Sequence, residues 1–123
     1  MKSIRLSLLF LLLTAALLLV AGCSRHYVDV YINDDCFLVT MENDKIIDPL
    51  LVFPGDYVVF TNISGHEVEL NLPDGMFSED DVEIAAGKRV ILEVIQKDPG
   101  ERSMVIVCTG GTGSPRVVVG EDP

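Results

Sequence analysis

Histidine is scarce in this sequence: His26 and His66 are the two among 123 residues. Two are too few to suggest a hidden catalytic triad, and no serine sits in a nucleophile elbow. No glycine-rich loop has the form of a phosphate cradle either, so the expectation is that the protein is not an enzyme. Basic residues are few, 9 Lys and Arg against 19 Asp and Glu. That balance repels phosphate backbones and anionic lipid, which argues against nucleic acid as a partner and against a polybasic membrane patch. After residue 23 no stretch holds a helical period, although residues 78–84 could form one helical turn.

The longest apolar run lies at the N-terminus. Lys2 and Arg5 precede a nearly unbroken apolar stretch over residues 6–21 that closes on small residues, the layout of a secretory signal. The alternative is an uncleaved membrane anchor, for which the run is slightly short of the ~20 residues a span needs. Val20-Ala21-Gly22-Cys23 resembles the bacterial lipobox, in which the cysteine becomes the mature N-terminus and carries lipid. The resemblance implies a signal peptide over 1–22, a lipidated N-terminus and short tether over 23–26, and a domain over 27–123. It places the protein on a bacterial membrane, facing the periplasm or the exterior, and Ser24 is compatible with outer-membrane sorting in some bacteria. From Cys23 onward there are 101 residues, enough for one domain and too few for two. Without Lys2 and Arg5, 7 basic residues face 19 acidic ones, a net charge of −12.

The mature chain is punctuated as an all-β protein. YVDVYI (27–32) and EVELNL (67–72) alternate apolar and polar positions, as half-buried strands do. CFLVTM, LLVF, YVVFTN, RVILEVI, SMVIV and RVVV are β-branched or aromatic runs of strand length, separated by turn residues such as Pro54-Gly55-Asp56 and Gly87-Lys88. These eight runs predict about eight strands. Strands this short and apolar need a second sheet to bury their inner face, which predicts a two-sheet β-sandwich.

Much of the mature chain resembles the cupredoxin family. In LLVFPGDYVVFTNISGHEVEL (50–70) a strand, a Pro-Gly-Asp turn and a second strand end in Asn62, followed by His66 and another strand. IAAGKRVILEV is similar to the family's Gly-Lys turn and following strand, and SMVIVCTGGTGSPRVVVG (103–120) to its last hairpin, which carries the cysteine ligand. The resemblance implies a Greek-key sandwich. It transfers the family's copper-ligand role to His66 and Cys108 alone, because no His or Met follows Cys108. A blue-copper centre needs two imidazoles, a thiolate and a weak axial ligand, and two ligands rarely hold a specific copper. The expectation is therefore no cofactor, with copper at His66, Cys108 and perhaps an exposed Met76 as the alternative. Of the other candidates, His26 lies beside the anchor and Met104 shares a strand face with Cys108, where core packing explains it better.

With Cys23 lipidated, Cys36 and Cys108 are the remaining thiols in an oxidising compartment, where an even pair normally closes. In the cupredoxin arrangement the first strand runs parallel to the one ending at Asn62, which brings Cys36 to the Cys108 pole and makes a bridge reasonable. The competing reading joins both free thiols to His66 in a Cys2His metal site. SEDDVE (78–83) gathers Glu79, Asp80, Asp81 and Glu83 and reads as a solvated charged turn, the alternatives being docking of a cationic partner or weak calcium binding. Asn62-Ile63-Ser64 matches a glycosylation acceptor. Gly110 to Gly113 suits close approach to another backbone, or a plain hairpin loop. The chain thus reads as a lipid-anchored component of an envelope complex with an unidentified protein partner, the alternative being copper binding or electron transfer.

Overall fold

The computed structural model describes residues 26–121; the stretch expected to be a signal peptide, Cys23 and most of the expected tether lie outside them. The described chain is all-β, with eleven strands: β1 (Tyr27–Ile32), β2 (Leu38–Val39), β3 (Leu50–Val52), β4 (Tyr57–Asn62), β5 (Val68–Asn71), β6 (Asp81–Ile84), β7 (Arg89–Glu93), β8 (Gly100–Ser103), β9 (Val105–Cys108), β10 (Gly111–Gly113) and β11 (Arg116–Val119). Three sheets form, in the orders β2-β1-β4-β7, β10-β9-β5-β6 and β3-β11-β8. The eight apolar runs each contain one strand. β6, β8 and β10 are additional, and β6 occupies the second half of the stretch that could have formed one helical turn. Asp81 and Glu83 point outward there while Ile84 is buried, so a period of two prevails over the local charge density.

The second and third sheets are linked by one bent hairpin. In β9–β10, Cys108 pairs with Gly111 and Ile106 with Gly113; in β8–β11, Ser103 pairs with Arg116 and Gly100 with Val119. The register is unchanged across the gap, where Met104 faces Pro115. The Met104 N–H donates to the Pro115 carbonyl at 3.1 Å, but proline has no N–H to return. The ladder breaks at that point and the chain bends from one sheet to the other. Gly110, in the left-handed region at φ 89°, makes the two-residue turn at the hairpin's tip.

Two pairings are parallel. β1 lies beside β4 with Tyr27 opposite Tyr57 and Ile32 opposite Asn62, and β3 lies beside β11. One apolar core draws on all three sheets, including Ile32, Leu50, Phe60, Leu70, Phe77, Leu92, Met104 and Ile106. Phe60 and Phe77 meet edge to face at its centre, with ring centroids 6.0 Å apart.

Arg116 pins the third sheet from outside. Its Nε lies 3.1 Å from Asp48 Oδ1, its Nη1 3.0 Å from Glu101 Oε1, and its backbone N–H donates to Asp48 Oδ1 at 3.0 Å. That backbone donor above all, aided by the guanidinium, holds the Asp48 carboxyl below its ordinary pKa against an opposing desolvation. A lowered folded-state pKa gives stability that is present above the unfolded value and disappears as pH falls through the folded one. Asp48→Asn is therefore expected to be less stable than wild type at neutral pH, with the gap closing below pH ~4 in urea titrations across pH. A gap that stays constant with pH would show that Asp48 acts without its charge.

Close packing generates a second prediction. A Cβ added at Gly113 would overlap the Cys36 carbonyl oxygen, whereas one added at Gly111 meets nothing. Gly113→Ala should cost about 1–3 kcal/mol by overpacking, and Gly111→Ala should stay within about 0.5 kcal/mol of wild type, both read from denaturant midpoints.

Candidate functional site

Three loops converge at the pole where β1 and β4 end. The first runs over residues 33–37. Asn33 Oδ1 accepts the N–H groups of Asp35 and Phe37 at 3.1 and 3.0 Å, and the Cys36 N–H donates to the Asn33 carbonyl at 3.1 Å. This turn holds Cys36 at φ 68°, a conformation few side-chain-bearing residues adopt. The second loop, residues 63–67, is tied to the first. The Ile63 N–H donates to the Ile32 carbonyl at 3.0 Å and the Gly65 N–H to Asp34 Oδ1 at 3.0 Å. The third is the tip of the β9–β10 hairpin.

The cysteines close across this pole. Cys36 and Cys108 are at disulfide distance, with sulfurs 2.07 Å and Cα atoms 6.0 Å apart, joining positions 72 residues apart in sequence. Cys36 is buried and Cys108 half-buried against the core. Gly113 passes beneath the Cys36 carbonyl, so the glycine-rich loop does approach another backbone, one belonging to this same chain.

Asn62 organises the second loop. It is fully buried, and its Nδ2 donates to the carbonyls of His66 at 2.7 Å and Ile84 at 2.9 Å. Its Oδ1 accepts the Ser64 N–H at 2.9 Å and lies in hydrogen-bonding contact with the Ser64 hydroxyl. Both amide hydrogens are used, so the residue that matched a glycosylation acceptor is an internal strut.

The candidate ligands are not assembled into one site. His66 is exposed on the second loop and contributes its backbone carbonyl to the Asn62 network. The Cys108 sulfur is joined to Cys36, so in this state it offers no free thiolate and the Cys2His arrangement has no thiols to use. Met76, expected in an exposed loop, is instead fully buried in the core. Its carbonyl accepts the N–H of Ile95, just past β7, at the end of the sheet where β4 begins. The length of β4, about 17 Å by its six residues, separates that end from Asn62 and His66. Among the described residues no group of three or more His, Cys, Asp or Glu is arranged to hold a metal ion. Met104 is also fully buried in the core, and His26 instead meets Asp56, its Nδ1 3.3 Å from Oδ1.

The acidic stretch forms something different from a turn. Asp81 and Glu83 on β6 line a shallow groove of about 310 Å³ with Val82 and with Glu69 of β5, directly opposite Glu83 in the ladder. With its amide nitrogen turned toward them, Asn71 Nδ2 lies 2.8 Å from Asp81 Oδ1 and 3.3 Å from Glu69 Oε1. Glu69 is one of the polar positions in the EVELNL alternation, and the β5–β6 pairing that brings it to the groove has no local sequence signal. No family model matches this chain, and no curated protein does.

The Asn62 network yields a test of how the pole is held. Asn62→Ala leaves the His66 and Ile84 carbonyls without their donor and is expected to cost about 2–4 kcal/mol in urea unfolding. Ser64→Ala, which leaves both Nδ2 bonds intact, should cost about 1 kcal/mol. Equal losses would mean that the hydroxyl, not the amide, carries the loop.

Proposed function

We propose that the protein is a lipid-anchored component of a bacterial cell envelope whose cupredoxin-like domain binds or braces a protein partner and does not move electrons through copper. The observation that carries this reading is the Cys36–Cys108 pairing, since Cys108 holds the position to which the resemblance assigns a copper thiolate. The parallel β1–β4 pair ending at Asn62 and the hairpin carrying Cys108 are what a Greek-key sandwich of that family would contain. The lipobox-like Val20 to Cys23 supports the anchor, and the net charge makes lipid, not electrostatics, the means of attachment. The absence of nucleophile and phosphate-binding motifs supports a non-enzymatic role.

The test uses the full chain made in a bacterial host. Mass analysis should find acyl chains on Cys23 as the first residue, and neither Cys36 nor Cys108 should react with an alkylating reagent before reductant is added. Copper(II) added to this oxidised protein should give no intense visible absorption. A strong blue band that is lost in His66→Ala would overturn the copper-free reading, and an intact, unacylated N-terminus would overturn the anchor.

A further inference from the structure

We infer that the outer face of the β2-β1-β4-β7 sheet, at the end where β1 begins, rests on a zwitterionic lipid surface. The inference depends on acylation of Cys23. The inner positions of this sheet, Val30, Ile32, Val58, Phe60 and Leu92, are all in the core. The alternate positions face away from it, and near the start of β1 they are largely apolar. Tyr27 is 53% exposed, Ile91 48% and Ile95, two residues past β7, 47%. Tyr27 stacks on Tyr57 with centroids 5.4 Å apart, the two being direct partners in the parallel ladder. Val59, opposite Ile91, is buried beneath this face and adds no exposed surface of its own. The other large exposed apolar side chains lie elsewhere: Phe37 and Ile63 at the disulfide pole, Met41 and Ile46 beyond β2, and Leu51 on β3.

The tether selects the occupant. Four peptide steps separate Cys23 from Tyr27, a reach of at most about 14 Å when fully extended, so acyl chains on Cys23 hold this end of the sheet against the headgroups. Tyrosine rings, apolar in body and polar at the tip, suit that depth. Asp29 is exposed and Glu93 half-buried on the same face, and these carboxylates keep contact at the headgroup level and disfavour anionic lipid.

The protein contains no tryptophan, so a single introduced one reports its own site. Full-length acylated Ile91→Trp and Leu51→Trp chains would be reconstituted into phosphatidylcholine vesicles whose acyl chains carry bromine. Interfacial contact reaches about 5–10 Å into the headgroup boundary, so Ile91→Trp should shift to the blue and lose roughly half its emission, with Leu51→Trp little changed. Ile95→Trp should behave as Ile91→Trp does, which guards against a folding defect in one variant. Acylated protein in which both reporters respond alike, or neither responds, overturns the orientation while leaving the anchor standing. A blue shift without bromine quenching also overturns it, since a second copy then covers the face. Mass analysis showing no acyl chain on Cys23 removes the anchor and the orientation with it.

Discussion

The covalent link between Cys36 and Cys108 is the constraint on which the rest of the pole depends. Strands here run from two to six residues, so no single ladder has many hydrogen bonds with which to fix its neighbours. The link joins the loop after β1, in one sheet, to the end of β9, in another. Closing a loop of this size contributes about 4 kcal/mol in the chain-entropy model, a large share of the margin by which small domains are stable. Its local demands are visible around it. Cys36 takes a left-handed backbone that the Asn33 turn supports, and position 113 has no room for a side chain.

What the disulfide does at one pole, the bent hairpin does along the length of the domain. A flat hairpin over residues 100–119 would place all of its inner side chains on one plane. Breaking the ladder at Met104 and Pro115 lets the same two segments contribute to two sheets, and the buried Met104 side chain fills the angle between them. Methionine suits an irregular corner because its unbranched chain adapts to the space available. Arg116 begins the strand just beyond the bend, and its contacts with Asp48 and Glu101 hold that strand between β3 and β8.

The fold was legible in the sequence wherever an apolar run had strand length. YVDVYI and YVVFTN match β1 and β4 at both ends, because alternation and β-branching are local properties. GERS and GTG carry no apolar signal and become strands only because the rest of the hairpin continues through them. The stretch before Ile84 misled because four acids in a row of six suggest a turn, while pairing with β5 decides otherwise. The candidate site was legible as a set of residue types but not as a set of distances. Met76 shows the difference: a loop residue by its neighbours, it is drawn inward as the chain passes from β5 to β6.

A pole closed in this way limits the chemistry available there. Asn62 has no unused donor hydrogen and the sulfurs are bonded to each other, so His66 is left as a lone exposed imidazole on a braced loop. The ladder places Glu69 directly across from Glu83, an arrangement that costs stability in isolation because like charges face each other. Asn71 relieves part of that repulsion by turning its amide nitrogen toward two of the acids. The protein thus spends some stability on its outer acidic surface while its polar interior is satisfied.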